Sequence, residues 1–358
     1  MADQRSTGWA RLRLYGGIGI GLALLALFLS SIDVAELTDT LKATRWRWLV
    51  AAVGAILVHY LAHGLRWKVL LRHVVPGVEL HTIWRATTVL WAFNTLLPLR
   101  AGSLLRPAVV AMNRDVPYTT LLFTMVAETV CDVFGTVGLV LVALVLLPDA
   151  LADSPQITQM KTVGTWVSVI ALVALGGIVL LSSRGARSAI EAATAPIPSS
   201  RIRERVMALF DQLVEGMAAV RSPRQLVEAL AITVLVWGAW LAAVVFTLWA
   251  FRIELPIGAA VFIEASLTVA MMLPQAPGFL GTFQVVTEKV LVVFGAPAGA
   301  SKAVALVLWV VCFVPITLLG VWDAWRMGMS ISPGSRRETF SQLAGAADER
   351  VSPPHPPG

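Results

Sequence analysis

The chain has 358 residues, of which 57% are hydrophobic and 14% are charged, and its mean hydropathy is +0.76. A soluble domain carries roughly 25% charged residues, so this composition excludes a soluble globular protein and indicates an integral membrane protein. The formal net charge of +6 is typical of basic loops beside anionic lipid, and it does not indicate a nucleic-acid partner.

The apolar runs predict an all-α integral membrane protein. Three arginines precede the first run, as in a signal peptide, but no small-x-small cleavage site comes before Asp33, so we expect an uncleaved span. The predicted spans are 13–32, 46–72, 117–147, 161–183, 224–251 and 299–326, and two broken helix pairs are predicted at 81–97 with 101–113 and at 257–273 with 280–295.

These elements divide the chain into two membrane repeats. Apolar residues at helical spacing among arginines in the polar stretch 184–222 predict either a helix on the inner membrane surface or a linker docked on the bundle. The predicted regions are a cytoplasmic N-terminus (1–12), a first repeat (13–147), an external loop (148–160), a second repeat (161–327) that includes the cytoplasmic amphipathic stretch 184–222, and a disordered cytoplasmic tail (328–358).

Two similar motifs interrupt the apolar sequence. FNTLLPLRAGSLLR at 93–106 contains the first break, and AMMLPQAPGFLGTFQ at 270–284 contains the second break. In both, an apolar segment stops at Leu-Pro and another starts after a glycine, and both residue types interrupt helices. Broken segments at matching positions in two halves of a chain are typical of transport sites.

The repeat order predicts opposite orientations for the two halves. Each half has the order span, span, broken pair, span, and crosses the membrane an odd number of times whether its pair re-enters or crosses fully. We therefore expect a polytopic helical bundle with two inverted-topology repeats, each with a broken or re-entrant helix pair. The alternative is coincidental kinks in an ordinary bundle, since Pro and Gly are common in membrane helices.

The distribution of Lys and Arg predicts the orientation. Basic residues are concentrated before the first span and in 184–224, whereas 148–162 contains one lysine. We therefore expect a multi-pass protein of the cytoplasmic membrane with both termini in the cytoplasm. The loop 33–47 is an exception, because it places three basic residues on the outer side.

Charges within apolar segments are costly and mark candidate functional residues. Arg100 lies at the first break, and Glu128 and Asp132 share one face of the following span through their i,i+4 spacing. We expect this face to point inward, toward Arg100 or Arg106. A structural ion pair and a substrate role are both consistent with the pattern, and they are compatible.

The helices that restart near Gly102 and Gly281 have N-termini at the breaks, where free N–H groups attract anions. The first break is charged and the second is largely neutral, so we expect head-group recognition at the first and gating or shape at the second. The resulting mildly cationic site suits a phosphate-bearing lipid head group. The predicted substrate-binding residues are Asn94, Arg100, Gly102, Ser103, Arg106, Gln275, Gly278, Gly281, Thr282 and Gln284, and the predicted coupling or ion-pair residues are Glu128, Asp132 and Glu288.

No motif predicts a catalytic residue, a metal or a cofactor. His59 and His63 have a spacing that zinc can use, but no third ligand is evident, so packed or pore-facing histidines are favoured. Cys131 and Cys312 lie in apolar runs and indicate neither a disulfide framework nor a metal site. No nucleophile elbow, P-loop or dinucleotide fingerprint is present.

Four segments in order resemble the lysylphosphatidylglycerol synthase transmembrane region, a flippase-like family that also forms the membrane half of the multiple peptide resistance factor. They are GLRWKVLLR at 64–72, FNTLLPLRAGSLLR at 93–106, ETVCD at 128–132 and LPQAPGFLGTFQ at 273–284. The resemblance implies lipid translocation between leaflets or an accessory role in exporting lipid-linked molecules. Synthase activity is not implied, because that belongs to an additional cytoplasmic domain.

The match to the family's charged pattern is incomplete. Arg100, Arg106, Glu128 and Asp132 match it. Ser103, Thr129 and Gln284 stand where the family commonly has an acidic residue, an arginine and a glutamate. These departures imply a less charged site, and a glycolipid, a polyprenyl-linked sugar or a hopanoid is an alternative to a phospholipid.

We therefore expect a lipid flippase. The alternatives are a membrane accessory subunit of a lipid or envelope-biosynthesis enzyme, which moves nothing, and an intramembrane lipid-modifying enzyme that uses Glu128 and Asp132. The expected partners are a membrane lipid as substrate, an envelope-biosynthesis enzyme and a second copy of the chain, with no nucleic acid.

Overall fold

The computed structural model describes residues 25–30, 34–97, 102–112, 114, 116–147, 155–181, 184–196, 199–271 and 276–328. Every regular element among them is helical, as the composition predicts. Residues 25–30 are helical, and the subsequent helices are α1 Val34–Lys42, α2 Trp46–Leu70, α3 Leu80–Leu96, α4 Leu105–Ala111, α5 Tyr118–Val145, α6 Pro155–Leu181, α7 Arg184–Thr194, α8 Ser200–Gly216, α9 Ala218–Arg221, α10 Pro223–Ala250, α11 Ile257–Met271, α12 Thr282–Val293 and α13 Ala298–Arg326.

Four of the described helices are long and apolar enough to cross a membrane. They are Trp46–His73, Tyr118–Val145, Pro223–Ala250 and Ala298–Arg326, and they agree with four predicted spans to within two residues. Helix α6 covers most of the predicted span 161–183 but begins at Pro155, inside the predicted external loop. Proline is favoured in the first turn of a helix, where its missing N–H costs nothing. Most of the predicted span 13–32, the N-terminus and the tail lie outside the described residues.

Helices α2 and α10 form an antiparallel pair at the centre of the bundle. The Arg45 N–H, just before α2, donates to the Ala250 carbonyl at the end of α10 over 2.9 Å. Near the other end of the pair, Arg72 contacts Glu228. The start of α2 therefore lies beside the end of α10, and the end of α2 lies beside the start of α10, so the two helices run in opposite directions.

Helices α3 and α13 form a second antiparallel pair, because Arg85 lies beside Asp323 whereas Ala92, later on α3, lies beside Gly320, earlier on α13. Thr88 Oγ1 donates to Asp323 Oδ2 over 2.8 Å. A Cβ built on Gly320 would lie 2.2 Å from the Thr88 carbonyl oxygen, so only glycine permits this close approach. The end of α2, the start of α3, the start of α10 and the end of α13 therefore lie at the same end of the bundle.

The main hydrophobic core lies between these pairs and the second broken segment. Side chains of Ile56, Ile263 and Leu308, from α2, α11 and α13, are at most 1% exposed and belong to one packed cluster. The core thus joins residues from both halves of the chain.

The described residues beside the two breaks lie close to each other. Helix α3 ends at Leu96, a 3₁₀ turn over 102–104 precedes α4, and α4 packs back along α3. In the second break, Gly278 and Gly281 have positive φ angles of 69° and 84°, which glycine adopts without strain. A Cβ on Gly278 would lie 3.5 Å from Thr95 Cγ2, so the second break contacts the end of α3.

The polar stretch 184–222 contains α7, α8 and α9. A Cβ on Gly216 would lie 2.7 Å from Phe123 Cβ, so the end of α8 is docked on α5. Ile202 and Leu209 of the same helix are exposed. The C-terminal end of α8 is therefore docked on the bundle, as one of the two alternatives predicts. The earlier turns of α8 leave apolar side chains exposed.

Candidate functional site

A buried carboxylate lies between two arginines inside the bundle. Glu128 Oε2 on α5 accepts a hydrogen bond from Arg106 Nη1 on α4 over 2.5 Å, and Glu128 Oε1 accepts one from Arg66 Nη2 on α2 over 3.2 Å. The exposed fractions of Arg66, Arg106 and Glu128 are 0%, 1% and 5%. Charges removed from water this completely are stable only when they are paired and hydrogen-bonded.

Asp132 extends this cluster by one helical turn. Arg66 Nη2 lies 2.6 Å from Asp132 Oδ1, and Arg66 Nη1 donates to Thr233 Oγ1 on α10 over 3.3 Å. Unlike Glu128, the Asp132 side chain is 42% exposed. The i,i+4 spacing therefore brings both carboxylates to the same arginine, as expected of one helix face, but in different environments.

Neutral groups fix the Arg106 guanidinium in place. Its Nη2 donates to the His63 carbonyl oxygen over 3.3 Å and to Thr87 Oγ1 over 3.4 Å. Its Cζ lies 4.2 Å from the centroid of the Trp67 ring, in a cation–π contact. These partners come from α2 and α3, so Arg106 connects its own helix to two helices besides α5.

The first break positions Arg106. A Cβ on Gly102 would lie 2.3 Å from the Leu90 carbonyl oxygen, so glycine lets the restarted segment touch α3. One residue later, the Ser103 N–H donates to Asn94 Oδ1 over 3.1 Å, which anchors the turn before α4. This contact satisfies one of the free N–H groups that a helix start presents.

A cavity of about 650 Å³ adjoins the charged cluster. One part of its wall is polar, and the rest is largely aromatic and aliphatic. The polar lining residues include His59, His63, Asn94, Ser103, Arg106, Glu128, Thr129 and Asp132, and the aromatic ones are Tyr60, Trp91, Phe123, Trp237, Trp240, Phe279 and Phe313. An amphipathic cavity of this kind suits a ligand with a polar end and an apolar end.

The described polar groups of the second break are bonded within the protein. Gln284 Oε1 accepts the Gly281 N–H over 2.7 Å, so this side chain caps its own helix. The Gly278 carbonyl accepts the Trp309 Nε1–H over 2.7 Å. Neither Thr282 nor Glu288, both half-buried on α12, is among the cavity-lining residues.

The predicted residues therefore separate into groups. The structure brings Arg106, Glu128 and Asp132 together, and Asn94, Gly102 and Ser103 support them. Gly278, Gly281, Thr282, Gln284 and Glu288 lie at the second break or beyond it, outside the cavity wall. Arg100 and Gln275 lie outside the described residues.

Arg66 is the main residue of the cluster that is absent from the predicted site residues, although it lies in the segment GLRWKVLLR at 64–72. A signal was present: Arg66 lies three residues after His63 within an apolar run, where an unpaired charge is costly. His63 Nδ1 lies 3.2 Å from Arg66 Nη2 and 3.4 Å from Glu128 Oε1.

The two histidines face the cavity. His59 Nδ1 makes a 2.8 Å hydrogen bond with the Val236 carbonyl, and both His59 and His63 line the cavity wall. The sequence favours packed or pore-facing histidines over zinc ligands, and both side chains are buried at the cavity wall. Within the described ranges, no group of three or more His, Cys, Asp and Glu side chains has a metal-binding arrangement.

Comparison with known proteins identifies the family. A protein named Glycosyltransferase AglD from Haloferax volcanii is 24% identical over an alignment of 322 residues, which covers 83% of this chain and 51% of the relative. The chain therefore spans about half the length of this curated relative. No solved structure matches the chain. The sequence profile of the lysylphosphatidylglycerol synthase TM region matches residues 14–320, and the chain therefore belongs to that family of membrane proteins.

Proposed function

We propose that this protein binds a polar-headed lipid in the cavity and moves it between the leaflets of the cytoplasmic membrane. The observation that carries the proposal is the amphipathic cavity, which places Arg106, Glu128 and Asp132 beside an aromatic and aliphatic wall. A lipid head group would occupy the polar part while the acyl or prenyl chain remains against the apolar part and the bilayer.

The ion pairs would respond to the head group. Asp132 is the most accessible charge of the cluster, and it shares Arg66 with Glu128. A head group that hydrogen-bonds to Asp132 would weaken its contact with Arg66, and Arg66 would still keep Glu128 as a partner. An unpaired buried charge is costly, and such an exchange lets a ligand enter without creating one.

We further infer that the two halves are inverted repeats that move against each other. The packing supports this. In each half, the first helix of the broken pair packs against the last span of the other half: α3 packs against α13, and α11 packs against α5. Helices α2 and α10, which occupy the same position in each half, pack against one another between these pairs. Rocking of the halves about this central pair would expose the cavity to each leaflet in turn, with both termini in the cytoplasm.

The proposal can be tested in proteoliposomes that contain fluorescent lipids. Thr129 is exposed to the cavity, and Thr129→Trp would fill the space without touching the ion pairs. We expect it to reduce lipid movement about tenfold or more, as would Asp132→Asn. The matched control is Thr162→Trp, since Thr162 is also an exposed helical threonine bonded to a carbonyl four residues earlier.

Unchanged lipid movement in both Thr129→Trp and Asp132→Asn would contradict the proposal. Release of a chemically altered lipid by the purified protein, lost in Asp132→Asn, would instead indicate an intramembrane lipid-modifying enzyme.

A second candidate function is that of a membrane accessory module beside a glycosyltransferase. It is favoured by one observation: the chain matches about half of a longer relative that is named a glycosyltransferase. This candidate predicts that the purified chain moves no lipid and co-purifies stoichiometrically with an enzyme of that class. Lipid movement by the purified chain alone would contradict it.

A further inference from the structure

We propose that Glu264 is a proton-binding site that couples lipid movement to the pH gradient across the membrane. This proposal rests on the proposed function, because a coupled proton requires a transport cycle. Three observations carry it: a fully buried carboxyl group without a partner, its position next to the cavity wall, and the pairing of the other buried carboxylates with arginine.

Glu264 is buried on α11 among apolar residues. Its side chain is 0% exposed, and within the described part of the chain neither carboxyl oxygen has a hydrogen-bond partner. Ala260 and Leu267, one turn before and one turn after it, belong to the main hydrophobic core. An ionised carboxylate without a partner is very costly in such surroundings, so the carboxyl group is neutral and holds a proton.

No cation replaces this proton among the described residues. Helices α5, α6, α10 and α12 pack against α11, and α13 supplies the Cys312 thiol, which interacts electrostatically with Glu264. The charged side chains of these five helices do not contribute to the electrostatic environment of Glu264. They are Glu128 and Asp132 on α5, Lys161 on α6, Arg224 and Glu228 on α10, Glu288 and Lys289 on α12, and Lys302, Asp323 and Arg326 on α13.

The other buried carboxylates among the described residues are neutralised differently. Glu128 lies between Arg66 and Arg106, and Asp323 Oδ1 lies 3.9 Å from Arg85 Nε. These carboxylates have a cation beside them whether the protein moves a proton or not. Glu264 has only its own proton, which makes it the buried acidic group whose charge depends on access to water.

The position of Glu264 links that access to the cavity. Glu264 shares one face of α11 with Thr268 and Met271, at i+4 and i+7, and both of these residues line the cavity. Cys312, its neighbour on α13, lines the cavity as well. A separation of α11 from α13 would therefore admit cavity water to the carboxyl group.

The proposed rocking of the halves would then move a proton in each cycle. While α11 is packed in the core, Glu264 must be protonated. When the halves separate, the carboxyl group can release its proton to water on the open side and become a carboxylate. The halves can pack again only after Glu264 has taken up a proton from water, so the pH difference between the two sides biases the cycle.

The distribution of a fluorescent lipid between the two leaflets of proteoliposomes tests this coupling. The probes are fluorescent phosphatidylglycerol and fluorescent monoglucosyldiacylglycerol, with the membrane potential held at zero by valinomycin and equal potassium. A gradient of one pH unit should shift the leaflet ratio of the moved lipid by up to about tenfold, the limit for one proton per lipid. A moved lipid that stays equally distributed under the gradient would overturn the proposal.

A substitution that keeps the shape of the side chain assigns the effect to Glu264. Glu264→Gln cannot ionise, so it should move lipid to an equal distribution and ignore the gradient. The matched control is Glu254→Gln, in the exposed turn before α11, which should keep the wild-type response. A wild-type leaflet ratio in Glu264→Gln under the gradient would remove Glu264 from the coupling.

Infrared spectra measure the proton without requiring transport. In maltoside detergent at neutral pH, the wild type should show the C=O band of a protonated carboxylic acid. The band should be lost in Glu264→Gln and retained in Glu254→Gln. If the wild type and Glu264→Gln do not differ in this band, the proposal falls, even where the variant moves no lipid.

The proton site and the flippase function fail separately. If the wild type moves lipid but the leaflet ratio ignores the pH gradient, the proton site falls and the flippase function stands. If the wild type moves neither lipid, the flippase function falls and the coupling falls with it.

Discussion

Arg106 Nη1 donates to Glu128 Oε2 over 2.5 Å, which ties the short helix after the first break to the long span that follows it. The other carboxylate oxygen of Glu128 accepts from Arg66. A single buried carboxylate thus connects α2, α4 and α5 beside the cavity. Because the contact fixes the break as well as the polar wall, its loss should affect both stability and lipid movement.

Replacing Glu128 by glutamine should strongly destabilise the protein. The change leaves Arg106 without a carboxylate partner among the described residues and Arg66 with Asp132 alone, and breaking a buried pair typically costs about 3–5 kcal/mol. Denaturant unfolding of the purified protein in detergent measures the effect. The control is Glu215→Gln at an exposed position on α8, and equal stability of the two variants would show that the buried pair contributes little.

A substitution of Glu264 should raise the stability of the protein, the opposite of the effect expected for Glu128. Glu264 is 0% exposed on α11, and within the described part of the chain neither carboxylate oxygen has a hydrogen-bond partner. Glu264→Leu removes these unsatisfied groups from an apolar core and should raise the free energy of unfolding by about 1–3 kcal/mol.

The matched control for this substitution is Glu254→Leu, in the exposed turn before α11. A stability loss specific to Glu264→Leu would mean that the carboxyl group has a structural partner. A gain in stability accompanied by loss of lipid movement would show that the buried carboxyl group is kept for function.

Gly102→Ala tests whether the first break positions the site. A Cβ there would meet the Leu90 carbonyl oxygen at 2.3 Å, so α4 must shift and carry Arg106 with it. Overpacking of this kind costs about 1–3 kcal/mol, and lipid movement should fall with it. Gly138→Ala on α5 is the control, because nothing lies within 4 Å of its Cβ position.

The control variant should instead gain about 1 kcal/mol from helix propensity. A Gly102→Ala protein that is as stable and as active as the wild type would show that the close approach is not required for the site.

The four spans and both breaks follow from local sequence. An apolar run long enough to cross a bilayer forms a helix whatever its neighbours in space are. Leu-Pro followed by glycine interrupts a helix without contacts from other segments. The shared face of Glu128 and Asp132 is local as well, because the helical period places residues four apart together. These features required only neighbouring residues, and the structure agrees with each of them.

The partners of these groups were decided by tertiary structure. Arg66 and Glu128 are 62 positions apart in the sequence, and Gln284, predicted to bind substrate, is used within its own helix start. Which charge pairs with which depends on how α2, α4 and α5 approach each other, and buried charges select the approach that leaves none unpaired. The aromatic wall likewise assembles from distant helices. The sequence alone determined that charges lie within the membrane helices, and only packing decided that they balance one another beside a cavity.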